Sequence, residues 1–392
     1  MNKKENISIK GMIALCLITI GYMADMAIIP AGDAIYTQFA DSSQSVLNFI
    51  ISGPQILAVL AMICSTFLMR KFNKRTLILV SFTIFTICGC AGAVNLNIYY
   101  IAIMRALVGF FGGLGYPVAL SMINETYYDD EEKGSTMVGL LSGASALIGL
   151  IMTISAGFLC VSNWTNVYHV YLAAIPSLIF MFFALPKISV NAPSQKAAEK
   201  ETSKDVIPWG KVAITLLVVL IASIVANIPS YLGSVYAAEQ GIGDSSFAGF
   251  FAAVLTLMTT LVCAFFGPIY IKLKRYTSVI MFILFALGYL LLYVAKGQVL
   301  ALIGSGIDGV AYGLLVSYYA FDVTTYVPIS RIAVVTPFIT AAVSIGAALS
   351  TYAAYGLMGV VGADTIALSF PYFIAIACIG AVLALVKNVI RK

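Results

Sequence analysis

Asp25, Arg105 and Asp308 each stand deep inside a long apolar run. A charge at the centre of a bilayer costs about 2.5–3.5 kcal/mol on insertion scales, so an ionisable residue at that depth is a functional candidate by default. Asp25 belongs to a stripe with Tyr22, Ile29, Asp33 and Tyr36. Steps of three and four residues put these on one helical face, polar and aromatic enough to line water rather than lipid. A carboxylate taken out of water favours its protonated form, so Asp25 could take up and release a proton. Arg105 is its natural counter-ion, or a ligand for an anion, since guanidinium matches carboxylate and phosphate. The competing reading is a static ion pair that only fixes packing. Asp308 shares a face with Tyr312, Leu315 and Tyr319, and no basic residue lies at its depth in the second half. An unpaired buried carboxyl is costly unless protonated or hydrogen-bonded. Asp308 is therefore a second proton-site candidate, or a carboxyl bonded to a neighbouring Tyr or Ser.

A second group of residues would surround these charges. Ser223, Asn227, Tyr231 and Ser234 fall on one face of a later apolar run. With Tyr22, Tyr116 and Tyr312 they offer aromatic walls and a few polar groups, the lining that suits a moderately apolar organic ligand. The plainer reading is polar contact between helices. His169, the single histidine, sits among Trp164, Tyr168 and Tyr171, as in an interfacial aromatic belt. Glu125 and Asp322 end two runs at corresponding points and could pair with Lys74 or Arg75, and with Lys274 or Arg275, respectively. The seven cysteines lie in or beside apolar runs without a loop cluster, which gives neither a disulfide framework nor a zinc site. No nucleotide-binding loop, metal-ligand cluster or nucleophile with a base is present in the sequence. No enzymatic activity, cofactor or nucleic-acid partner is expected.

The elements that must hold these residues are membrane spans. AVILMFWYC make up 61% of the 392 residues and DEKR only 10%, against roughly 25% charged in soluble domains. A helix needs about 20 apolar residues to cross the hydrocarbon. Apolar runs predict spans at 11–32, 45–69, 76–95, 98–122, 135–160, 164–185, 210–236, 247–270, 277–295, 298–320, 332–356 and 366–387. The first is longer than the roughly 7–15 residues of a signal-peptide core and reads as a span. With the N-terminus inside, all of the 22 Lys and Arg except Lys296 and Arg105 fall on cytoplasmic segments, as the positive-inside rule requires. Both termini are then cytoplasmic. Pro186 to Pro208 is the one long polar stretch, with a Lys/Glu run, and reads as a flexible linker. The predicted organisation is 1–188 as a first six-helix bundle, 189–208 as the linker and 209–392 as a second bundle.

The halves repeat. Ala27-x-Ile29-Pro30 matches Ala226-x-Ile228-Pro229, Lys71 and Thr76 match Lys272 and Thr277, and Gly109-xxx-Gly113 matches Gly309-xxx-Gly313. Ala184-Leu185-x-Lys187 likewise matches Ala384-Leu385-x-Lys387, all at offsets of 199 to 201. An even number of spans per repeat gives both halves the same topology, the parallel arrangement of major facilitator transporters. Local motifs carry the same resemblance. Thr66-Phe-Leu-Met-Arg70-Lys71-Phe72-Asn73-Lys74-Arg75 resembles the family's G-x-x-x-D-R-x-G-R-K loop, with Arg70 where the family has its acid. Gly267 to Arg275 is the second-half counterpart, with Lys272, Lys274 and Arg275. Arg105-Ala-Leu-Val108-Gly109-Phe-Phe-Gly112-Gly113 resembles the family's R-x-x-Q-G-x-G motif, Val108 replacing Gln.

The resemblance to the major facilitator superfamily implies an all-α membrane protein: twelve transmembrane helices in two parallel six-helix bundles around a central cavity, working by alternating access. It implies that Arg105 lines the cavity and is linked to proton coupling. Lys71, Lys74, Arg75, Glu125, Lys274, Arg275 and Asp322 would form the inner gate. The expected partners are protons, a small organic substrate and the lipid bilayer, with a monomer in a bacterial plasma (inner) membrane. Proton-coupled export of amphipathic organic compounds is the first functional expectation, since the acids sit among aromatic residues. Uptake of a small organic anion or other metabolite is the alternative, and a lipid-translocating or non-transporting membrane protein a third.

Overall fold

The computed structural model describes residues 7–92, 94–127, 131–186, 207–323, 326–327 and 329–390; the linker and some helical side chains, among them Asp25, Thr66, Arg70 and Glu125, lie outside the described residues. Among the described residues the chain is helical without strands. It divides into two units, Met1–Ile28 with Asp41–Glu201, and Ile29–Ala40 with Thr202–Lys392.

In the first unit, α1 (Ile9–Leu17) and α2 (Thr19–Tyr22) lead into a 3-10 turn at Ala24–Ala27. α4 (Gln44–Ser52), α5 (Pro54–Lys71), α6 (Lys74–Ala91), α7 (Ile98–Thr126) and α8 (Glu131–Cys160) follow, then a 3-10 stretch at Trp164–Ala173 and α9 (Ala174–Ala184). The second unit takes a 3-10 turn at Ile29–Ala31 and α3 (Gly32–Gln38), then α10 (Trp209–Glu239), α11 (Ser245–Ala264) and α12 (Phe266–Leu273). It ends with α13 (Thr277–Val294), α14 (Gln298–Asp322), α15 (Ile329–Val361) and α16 (Ile366–Ile390). Asparagine and aspartate start several of these helices. Asn97 Oδ1 accepts from the Tyr99 and Tyr100 amides, and Asp244 Oδ1 from the Phe247 amide at 3.1 Å, satisfying donors that a helix N-terminus leaves open.

Among the described residues ten helical segments are long and apolar enough to cross a membrane, and the bent pair Gln44–Ser52 with Pro54–Met69 makes up to eleven. The remaining expected span is the shorter apolar helix Ile9–Tyr22 and the broken segment after it. This corrects the unbroken first helix read from the sequence. Pro30 has no amide to donate to the Met26 carbonyl, so the α-helical ladder cannot run through this point. The stripe Tyr22–Asp25–Ile29–Asp33–Tyr36 is therefore not one helical face. Tyr22 packs in the first unit, while Asp33 and Tyr36 pack in the second, the Asp33 amide donating to Ser234 Oγ at 3.2 Å and the Tyr36 ring lying 5.1 Å from that of Tyr355.

The sequence repeat is also a packing repeat. α7 lies on α5 and α6 in the first unit as α14 lies on α11 and α13 in the second. Gly109 and Gly113 set the first contact: a Cβ on Gly109 would collide with the Pro54 backbone, and one on Gly113 would lie 2.7 Å from Ala58 Cα. Gly309 and Gly313 do the same against Leu255 and Thr259, the latter at 2.8 Å from the carbonyl oxygen. Association in lipid depends on van der Waals packing, so small residues that let backbones meet take the place of a large apolar core.

Candidate functional sites in the two units

The first polar site is built around a missing amide. Pro54 cannot donate to the Ile50 carbonyl, so the span bends by 52° between α4 and α5 and one acceptor is left open inside the bilayer. Arg105 fills it from α7: Nε donates to the Ile50 carbonyl at 2.9 Å and Nη1 donates to the Tyr171 hydroxyl at 3.3 Å. The side chain is 1% exposed. Tyr171 reaches it because Gly89 leaves space for its ring, and Phe85 packs edge-on against that ring at 5.8 Å. The free space beside Arg105, walled by Tyr22, Pro54, Gln55, Ala58 and Val108, is only about 10 Å³, close to the minimum for one water. Tyr22 stacks on Tyr116 with ring centres 4.5 Å apart and planes at 21°, and Tyr116 Oη lies 3.5 Å from Ser142 Oγ. The expected Asp25–Arg105 pair involves a side chain outside the described residues.

The second site occupies the equivalent place in the other unit, with different chemistry. Ser305 stands 200 residues after Arg105, and its Oγ donates to the Phe251 carbonyl at 2.7 Å, 201 residues after Ile50. Three residues on, Asp308 is fully buried, and neither carboxyl oxygen has a hydrogen-bond partner among the described residues. Gly288 on α13 faces it; a Cβ there would lie 3.4 Å from Asp308 Cβ. The sequence alternative of a carboxyl bonded to a nearby Tyr or Ser is not what the fold provides. Two nearby hydroxyls are committed elsewhere, Ser305 to the Phe251 carbonyl and Tyr289 to the Val225 carbonyl. The Tyr289 bond has the same origin as that of Arg105, because Pro229 inside α10 leaves the Val225 carbonyl without its helical donor. Asn227 Nδ2 also donates to the Ser223 carbonyl at 2.8 Å, and Tyr231 is buried on the same helix. Thus Asn227, Asp308 and Tyr312 come together, whereas Tyr22, Arg105 and Tyr116 form their own group.

The expected gate residues are placed as follows. Lys74 Nζ donates to Ser121 Oγ at 2.9 Å, one helical turn before Glu125, whose side chain lies outside the described residues. Arg75 Nη2 donates to the Phe182 carbonyl at the end of α9. Lys71 and Lys274 are exposed, and Lys274 has a φ of 46° at the break after α12. The Arg275 guanidinium lies 5.4 Å from the centre of the Tyr276 ring. Asp322 is buried and accepts a long hydrogen bond from Tyr318 at 3.4 Å. His169 is exposed, its Nδ1 3.1 Å from the Asn166 carbonyl, while Trp164, Tyr168 and Tyr171 turn inward. No cluster of His, Cys, Asp or Glu able to hold a metal occurs among the described residues.

Sequence reading missed Tyr171 and the Ile50 carbonyl as partners of Arg105. The signal was present as Gly53-Pro54 inside an apolar run, since a buried proline always leaves one carbonyl to be satisfied.

Comparison with known proteins gives the same fold. A search of curated proteins finds no match. Among solved structures, a mutant of the nucleoside transporter NupG superposes with a TM-score of 0.79 at 10% identity, covering 97% of this chain and 99% of that one. A D-xylose-proton symporter gives 0.72 at 14% identity, covering 97% of each chain. A POT family transporter in complex with 5-aminolevulinic acid gives 0.73 at 12% identity, with 96% and 95% covered. The family model described as Major Facilitator Superfamily matches residues 14–351, and the chain, a multi-pass membrane protein, belongs to that superfamily.

Proposed function

We propose that this protein is a secondary active transporter that exports amphipathic organic compounds by alternating access, driven by proton movement through Asp308. The observation that carries this reading is the Asp308 carboxyl, fully buried with both oxygens lacking a hydrogen-bond partner among the described residues. An ionised carboxylate so placed would cost several kcal/mol, so in this conformation Asp308 carries a proton. Hydration of the site in another conformation would release it. The stacked Tyr22–Tyr116 pair and the Tyr312–Asn227 pair supply aromatic surface with a few polar groups, suited to a compound with an apolar body and a polar handle. Arg105 is the coupling cation in this scheme, held in place by Ile50 and Tyr171, with Asp25 as its proposed counter-ion. Lys74 and Arg75, which tie α6 to α7 and α9, hold the inner gate with Glu125, and Lys274, Arg275 and Asp322 serve the other half. The plasma membrane, with both termini cytoplasmic, is the proposed location.

Proton-coupled uptake is the second reading, favoured by the fold shared with a D-xylose-proton symporter. Arg105 would then bind an anionic group of the substrate. Purified protein in liposomes, with a pH-sensitive dye inside and a panel of amphipathic cations and small organic anions outside, tests both. Export predicts dye responses to amphipathic compounds that Asp308→Asn abolishes. Accumulation of an anion inside, weakened by Arg105→Lys, establishes uptake instead. No proton movement with any compound rejects the coupling.

A further inference from the structure

The second unit contains a groove of about 700 Å³ between α10, α13 and α16, well within the roughly 300–1,000 Å³ of small-molecule sites. Its floor is buried and apolar, with Ala222 and Phe285 among its residues, while Ile214, Ile379 and Leu383 form an exposed apolar rim. On a membrane helix such a rim faces lipid. Each helix contributes a stripe at helical spacing, and the α10 and α13 stripes run into a basic residue at the same end. On α10 the stripe is Thr215, Val218 and Ala222, preceded one turn earlier by Lys211, which is exposed. On α13 it is Ser278 and Phe282, preceded by Arg275, whose carbonyl accepts from Ser278 Oγ at 3.2 Å. On α16 it is Ala377, Gly380 and Ala384. Asp322, the acid ending α14 at this end, is buried and bonded by Tyr318. From Lys211 to Val225 the groove runs roughly 21 Å at 1.5 Å per residue, enough to span one leaflet of a core about 30 Å thick.

We propose that this groove binds one acyl chain of an anionic phospholipid, with the lipid phosphate held at its basic end by Lys211 and Arg275. Apolar length alone would accept any lipid chain; the two basic residues at one end, Lys211 and Arg275, select the headgroup, as basic pockets between spans do.

The full-length protein, delipidated in detergent and offered equal amounts of phosphatidylglycerol and phosphatidylcholine, tests this by native mass spectrometry. The wild type is expected to retain phosphatidylglycerol by roughly tenfold or more over phosphatidylcholine. Lys211→Gln with Arg275→Gln should reduce that preference to near parity. The same charge removed by Lys10→Gln with Lys296→Gln, both exposed, should leave it intact. Ala377→Phe, which fills the floor, should lower retention of both lipids. Equal retention of the two lipids by the wild type overturns the proposal, as does a preference that survives in the Lys211/Arg275 variant, one lost equally in the Lys10/Lys296 control, or wild-type retention by Ala377→Phe.

Discussion

Arg105 and Asp308 are both buried, yet the fold treats them in opposite ways. Arg105 is given acceptors: the carbonyl that Pro54 sets free and the Tyr171 hydroxyl. Asp308 is given none among the described residues, although Ser305, Tyr289 and Tyr312 are at hand. Arg105→Ala would leave a buried carbonyl without a donor, a penalty of about 1–3 kcal/mol, and should lower the thermal midpoint in detergent. Asp308→Asn removes a proton site while keeping shape. It should leave the thermal midpoint close to wild type, because no hydrogen bond of the carboxyl is lost, and still abolish proton movement. A marked loss of stability in Asp308→Asn would show that the carboxyl has a structural partner instead. The depth of both residues was legible from the sequence, because a charge inside a long apolar run is visible by counting. Their partners were not, because a backbone carbonyl freed by a proline has no residue type of its own to notice.

Prolines and glycines decide the shape of the elements. Pro54 bends the second span and so creates the acceptor that Arg105 uses. Pro54→Ala restores an amide four residues after Ile50, and the helix can then satisfy that carbonyl itself. The loss caused by Arg105→Ala should therefore be smaller in the Pro54→Ala background, with a coupling of about 1 kcal/mol in a double-mutant cycle of thermal or denaturant midpoints. Strict additivity would separate the two residues. Gly309→Leu should be severely destabilising, since even a Cβ would collide with the Leu255 backbone, and expression of folded protein should fall accordingly. Most spans were readable from apolar length and bounding charge. The first was misread as one helix because hydropathy does not register a missing amide: Pro30 breaks α-helical geometry in a stretch that stays apolar throughout.

The whole molecule is a repeat whose halves keep geometry and exchange chemistry. Arg105 and Ser305 occupy equivalent positions and donate to equivalent carbonyls, while Asp308 stands where the first half has Val108. One unit thus presents a buried cation and the other a buried carboxyl. The repeat was visible as Gly109/Gly113 against Gly309/Gly313, and the packing of α7 and α14 gives those matches their physical reason. The link between Ser305 and Arg105 emerged only from their bonding, since the two side chains share no type. The central claim, proton-coupled transport through Asp308, is tested most directly by substrate-induced proton movement in liposomes for wild type and Asp308→Asn, with binding of the same compound measured in parallel. The account predicts that the variant still binds the compound, while proton movement falls about tenfold or more, a barrier change of at least ~1.4 kcal/mol. Proton movement by Asp308→Asn at the wild-type rate would contradict it.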